Sequence, residues 1–199
     1  MLTRTIFALL LVAFPVALGL KIVAQRAALG RSPVVLGAGS ARPWEAWWER
    51  VTPFGLFFWP ASWLWVVLGD APLSALTRRA AGLVLLLAGA AFTLASVFLM
   101  GRAWRIGIDP ENTSELAEEG PYRWIRHPIY AGMLLMLVGN VLVVPHPAVE
   151  IAAVLTALGV ALQARREEQH LLRVFGDRYA RYMRRTGSFV PRFAGRRDA

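Results

Sequence analysis

The chain has 199 residues, 56% of them hydrophobic, a formal charge of +9, mean hydropathy +0.46 and no cysteine. That is one domain's length, and disulfides, thiolate nucleophiles and zinc–thiolate sites are excluded. Of the 22 basic residues 21 are Arg, a balance that in a soluble chain would suggest nucleic acid; here the apolar residues are gathered into blocks, so a membrane accounts for the charge and no nucleic-acid partner is expected.

Five blocks come near the roughly 20 residues that cross a bilayer: 5–24, 53–69, 80–100, 129–145 and 148–164. They predict an all-α, polytopic membrane protein with about five transmembrane helices. The first block follows Arg4 as a signal peptide would. Lys21, Gln25 and Arg26 interrupt the small-x-small site that cleavage needs, so it reads as an uncleaved helix. Residues 25–52 form a polar loop punctuated by Pro33, Gly37, Gly39 and Pro43. Its "GAG" lacks the third glycine and the strand–helix context of a nucleotide loop. Trp44, Trp47 and Trp48 then form an interfacial aromatic belt.

The third block is rich in Gly and Ala, which let membrane helices approach closely. After it comes a long polar stretch, 101–128, whose Trp104, Ile106, Ile108, Tyr122 and Trp124 argue against disorder. Pro128 suits the first turn of a helix and pushes His127 out of the α region, so the fourth span starts at about Pro128 with His127 at its cap. Pro145, His146 and Pro147 turn the chain back.

Beyond the fifth span, Leu171, Phe175, Tyr179 and Tyr182 recur at helical spacing among arginines. This predicts an amphipathic helix over 165–185, lying on the membrane surface. With the N-terminus outside, 19 of the 22 basic residues fall on the inner side, which places the C-terminus in the cytoplasm. The sequon Asn112-Thr113-Ser114 is then cytoplasmic and carries no glycan.

The hairpin has a geometric consequence. Residues 128–144 and 148–164 are legs of 17 residues, about 25 Å each at 1.5 Å per residue. The second leg undoes the first, so Glu167 and Glu168 return to the face where Arg126 and His127 stand. A helix N-terminus beside Arg126 favours an anion. Two carboxylates favour an ammonium or ribose hydroxyls, and Tyr122 and Tyr130 offer faces to a cation. S-adenosylmethionine suits all of these; NADPH, with anions and ribose, also fits. The blander alternative is that Arg126 simply pairs with Glu167 and Glu168 while His127 caps a helix.

The stretches "GPYRWIRHPIYAG" (120–132), "EEQHLLRVFGDRYARYMRR" (167–185) and "VPRF" (190–193) together resemble the isoprenylcysteine carboxyl methyltransferase family, which is grouped with phospholipid N-methyltransferases. The likeness covers about 98–193, and "WRIGID" (104–109) resembles a bacterial branch. It implies an integral membrane enzyme, in a bacterial inner membrane, that uses S-adenosylmethionine without a Rossmann domain and acts on a lipophilic or prenylated acceptor. The cofactor site would be cytoplasmic. Carried over residue by residue, the cofactor is held by Ser114, Glu115, Leu116 and Ala117, by Tyr122, by His127, Pro128, Ile129 and Tyr130, and by Glu167. Eukaryotic members carry a substrate-contacting arginine four residues before the first Glu; that position here is Gln163.

The chain thus divides into N-terminal helices and a polar loop (1–97), a motif-bearing region (98–193) and a tail (194–199). Positioning and desolvation can supply most of a methyl transfer, so neither a metal nor a nucleophilic side chain is expected. Arg126 is the one candidate for a direct part in the chemistry. Two other readings stay open: an NADPH-dependent membrane reductase of the sterol reductase type, against which Ile129 and Met133 speak, and a non-enzymatic membrane protein that keeps the fold.

Overall fold

The computed structural model describes residues 1–30, 32–35, 58–69, 71–106 and 116–192. The "GAG" turn, the Trp44–Trp47–Trp48 belt, Ser114, Glu115 and the second half of "WRIGID" lie outside the described residues. Among those described the architecture is helical: α1 (Leu2–Leu29), α2 (Phe58–Leu68), α3 (Leu76–Leu99), α4 (Pro128–Val143), α5 (Pro147–Phe175) and α6 (Asp177–Arg185). Single 3-10 turns occupy Gly101–Ala103 and Gly120–Arg123, and isolated bridges join Val34 to Ile106 and Ile125 to Gly187. Three helices, α1, α3 and α5, are long and apolar enough to cross a membrane, and α4 is a shorter apolar helix of 16 residues beside them. The protein is an all-α integral membrane protein. The second block of the sequence is represented by the 11 residues of α2.

Cross-links at the two ends of the bundle show that successive helices alternate in direction. At one end Arg4 donates to the Gly69 carbonyl (3.4 Å) and the Ser74 amide donates to the Val143 carbonyl (3.0 Å). At the other, Lys21 Nζ donates to the Gly101 carbonyl (3.1 Å) and Gln25 Nε2 to the Trp104 carbonyl (3.2 Å). The core between them runs through Phe7 of α1, Trp63 and Val66 of α2, Leu86 of α3 and Met136 of α4.

The Gly/Ala-rich third block is α3, and it packs on α4 nearly backbone to backbone. Gly82 and Gly89 lie seven residues apart, as do Gly132 and Gly139, so each pair occupies one helical face. A Cβ on Gly139 would stand 2.6 Å from the Gly82 carbonyl oxygen and 2.7 Å from the Leu86 amide nitrogen. Membrane helices gain little from hiding apolar surface from lipid, so such close approach is a main source of their association.

α5 differs from the expected fifth span. It continues unbroken to Phe175, because residues 165–175 contain neither Gly nor Pro. The break comes at Gly176, whose φ of +50° disfavours any side chain. The amphipathic segment is therefore split between the last turns of α5 and all of α6. Its Tyr179 and Tyr182 are buried inside the protein.

Candidate functional site

Pro128 opens α4 as its first residue, and His127 is the N-cap with φ −122° and ψ 61°. Just upstream, Gly120 at φ +56° and Pro121 start the 3-10 turn that tucks Tyr122 into the interior. The Tyr122 hydroxyl donates to the Ser96 carbonyl on α3 (3.2 Å), and its own carbonyl accepts from Tyr182 (2.6 Å). The loop is thus held between α3 and α6. Burial first, then the neighbouring Tyr182 and Glu167, pushes the Tyr122 phenol well above its usual range, so it remains a neutral donor.

The chain after α6 turns back along this loop. The Arg126 amide donates to the Gly187 carbonyl (2.8 Å) and the His127 amide to the Ser188 carbonyl (3.0 Å). That pairing lays Phe189 against the His127 ring, with centroids 5.9 Å apart. The segment 186–189 therefore belongs to the site. The sequence offered only the Thr186-Gly187-Ser188 turn chemistry as a sign of it.

As the hairpin arithmetic requires, α5 brings Glu167 and Glu168 to this mouth, and they divide the work. Glu168 Oε1 accepts from Arg126 Nε (2.7 Å), lies 3.2 Å from His127 Nε2 and receives Ser188 Oγ at 3.4 Å. Arg126 also donates to the carbonyls of Met183 (3.1 Å) and Thr186 (2.5 Å), at the C-terminal end of α6. Its guanidinium, a candidate for a direct part in the chemistry, is engaged with protein partners that tie α4's start to α5 and α6. The pairing of Arg126 with a carboxylate that the sequence allowed is real, and it falls on Glu168.

Glu167 points the other way. Its Oε1 accepts from the Tyr130 hydroxyl (2.5 Å) and from Gln163 Nε2 (3.1 Å), while Oε2 lies 3.6 Å from His127 Nδ1. Its side chain is 25% exposed, against 16% for Glu168. Gln163 is buried one turn further into the span, and its Oε1 has no hydrogen-bond partner. Reversing the amide would set that oxygen against the Glu167 carboxylate, so the assignment of Oε1 as the free atom follows from charge. Burial pulls the His127 imidazolium down, but hydrogen bonds and charge from Glu167 and Glu168 outweigh it and raise the group above 6.5. The His127 ring stacks on Tyr130 at 5.7 Å.

The structure thus gathers Tyr122, His127, Pro128, Tyr130, Gln163 and Glu167 at one end of the bundle. Ile129 is half-buried there, and its carbonyl accepts from Thr93 Oγ1 (3.4 Å). Leu116 and Ala117 are half-buried at the start of the described loop. Ion pairs of Glu118 with Arg178 and Arg185 fasten that loop to α6.

Residues 77–178, just over half of the chain and nearly all of α3, α4 and α5, match the phospholipid methyltransferase family. Protein-S-isoprenylcysteine O-methyltransferase B of Arabidopsis thaliana is 33% identical over 113 residues, covering 55% of this chain and 57% of that one. The Homo sapiens protein-S-isoprenylcysteine O-methyltransferase is 26% identical over 117 residues, covering 57% of this chain and 41% of its own length. The chain therefore spans about half the length of these curated relatives, which are methyltransferases and lend no support to a reductase. With the family match running through α3, α4, α5 and their shared polar mouth, the chain belongs to the phospholipid methyltransferase family.

Proposed function

We propose that this protein is an integral membrane methyltransferase that uses S-adenosylmethionine to methylate a lipophilic acceptor, with the reacting end of the bundle in the cytoplasm. The observation that carries the reading is Glu167. It is a carboxylate at the polar mouth of apolar helices, oriented by Tyr130 and Gln163, with its second oxygen left to a 3.6 Å contact with His127. Such a donor set fits the cofactor. Glu167 would accept from its ammonium or ribose hydroxyls, and the α4 N-terminus at Pro128–Tyr130 would face its carboxylate. Leu116, Ala117 and Tyr122 would close over it, together with Ser114 and Glu115. S-adenosylmethionine supplies an electrophilic methyl group on a sulfonium.

The remaining work belongs to the chain's own residues. Arg126 and Glu168 hold the loop, α5 and α6 in fixed register, so that Glu167 and Tyr130 meet a bound molecule in one geometry. The buried tyrosines and Phe189 exclude water from the mouth. Gln163 stands on the membrane side, where a lipophilic acceptor would arrive between helices. Its free Oε1 and the two carboxylates nearby make that side an acceptor of hydrogen bonds. A neutral hydroxyl or an amine suits it better than an anionic carboxylate. Nineteen of the 22 basic residues on one side of the membrane support the cytoplasmic placement, and a bacterial inner membrane suits such an arrangement.

The test is a methyl-transfer assay with methyl-labelled S-adenosylmethionine on membranes holding the protein, with the product identified by mass. A labelled, solvent-extractable methyl ether or N-methylated amine is expected. Absence of any label above membranes lacking the protein overturns the activity, and a methyl ester product overturns the assignment of Gln163.

A further inference from the structure

Away from the carboxylate cluster the bundle holds a cavity of about 290 Å³ between α2, α4 and α5. Ser62 and Trp65 line it from α2, Leu137 and Asn140 from α4, and the small side chains of Ala148 and Ala152 from α5. Asn140 lies ten residues beyond Tyr130, a rise of about 15 Å along α4, so the cavity is separate from the proposed methyl-transfer end. Beside it α5 presents Ile151, Val154 and Leu155 outward, each at least 60% exposed, which is a lipid-facing surface.

One atom in this cavity is unaccounted for. Asn140 is only 5% exposed, and its Nδ2 donates to Ser62 Oγ (3.0 Å), yet Oδ1 has no hydrogen-bond partner. A buried amide left half-paired is unfavourable in an apolar setting. Turning the amide over does not remove the debt, because Ser62 could then donate to the oxygen and the NH₂ would be left over.

We infer that this cavity is a binding site for a lipophilic alcohol, which enters from the lipid and places its hydroxyl on Asn140. A hydroxyl both donates and accepts, so it completes the amide in either orientation. None of the described residues lining the cavity is charged, so an ionised headgroup would be stranded there. A plain hydrocarbon tail would fill the space but leave Asn140 unpaired. The volume is about twice the 150 Å³ that accommodates benzene, so roughly ten to twelve heavy atoms enter. This site stands whether or not the other end of the molecule transfers methyl groups.

The experiment uses the full chain in lipid nanodiscs and two photoreactive probes, an octanol bearing a mid-chain diazirine and the matching octane. Labelled residues are located by mass spectrometry, and labelling is normalised to the lipid-exposed face of α1. The alcohol is expected to label the segments around Trp65 and 148–153 about tenfold more than the alkane, the upper range for one well-paired hydrogen bond. Asn140→Leu should reduce that excess to about twofold or less. Ala152→Leu, which fills the cavity from α5 without touching the amide, should abolish labelling by both probes. Equal labelling by the two probes in the unaltered protein means that water or nothing completes Asn140, and overturns the inference. So does an excess that survives Asn140→Leu, or labelling that survives Ala152→Leu.

Discussion

The two flanks of α4 are built on opposite plans. Toward α3 it presents Gly132 and Gly139, and the helices close until backbone meets backbone. Toward α5 it leaves a cavity at one end and, at the other, a polar mouth joined by side chains rather than by close packing. Lipid offers no hydrophobic penalty to drive helices together, so tight contact occurs only where small residues permit it. The difference teaches where a membrane protein of this kind can be rigid and where it can admit a guest. The α3–α4 seam fixes the start of α4, and the α4–α5 side carries the groups that a ligand can reach.

The sharpest way to break this contrast is at the seam. Gly139→Ala puts a methyl 2.6 Å from the Gly82 carbonyl oxygen, where backbone rather than a flexible side chain must yield. Overpacking of this kind costs about 3 kcal/mol, and thermal unfolding in detergent should show a large loss of stability. A change below about 1 kcal/mol would mean that the seam is not the rigid element. Next in size is Glu168→Gln, which leaves Arg126 and His127 without their shared carboxylate. Both members of the ion pair are mostly buried, at 11% and 16% exposure. After allowance for solvent the loss should be about 2 kcal/mol, measured as denaturant stability, and α6 should become easier to cleave by protease.

A smaller effect follows from His127. Its folded form holds the proton more tightly than an unfolded histidine. The stabilisation by Glu167 and Glu168 is therefore complete below about pH 6.5 and fades as pH rises through the folded value. The stability difference between the unaltered protein and His127→Asn should shrink from pH 6 to pH 9. A difference that grows over that interval would reverse the assigned charge state. Smallest of all is Leu158→Ala on the lipid face of α5, 57% exposed. It should change stability by less than about 0.5 kcal/mol, which separates this flank from the seam.

Much of this was legible in the sequence because it rests on covalent or helical regularities. Pro128 has no amide proton, so the start of α4 and the capping place of His127 follow from its chemistry. The return of Glu167 to that point follows from helix rise alone. The end of α5 was not legible in the same way. Hydropathy marks where a bilayer ends, not where a helix ends, and residues 165–175, too charged for lipid, still suit a helix in water; only Gly176 stops it. The Tyr179 and Tyr182 stripe has the period of a membrane-surface helix, yet it packs beneath the Tyr122 loop. Periodicity identifies an apolar face without naming its partner. Glu167 and Glu168 are neighbours in sequence but about 100° apart around the helix, and only the positions of Tyr130 and Arg126 show that one is held by a guanidinium and the other by a phenol and an amide.

That division of labour between adjacent carboxylates is the centre of the account, and one calorimetric titration tests it. S-adenosylhomocysteine is titrated into the purified protein, into Glu167→Gln and into Glu168→Gln, with thermal stability recorded for each. The unaltered protein should bind saturably. Glu167→Gln should bind about 10- to 150-fold more weakly, the value of one charge-assisted hydrogen bond of about 1.5–3 kcal/mol, at nearly unchanged stability. Glu168→Gln should lose stability first. No saturable binding at millimolar ligand, or a Glu167→Gln protein that unfolds while Glu168→Gln binds and melts normally, would contradict the assignment of Glu167 as the cofactor's carboxylate.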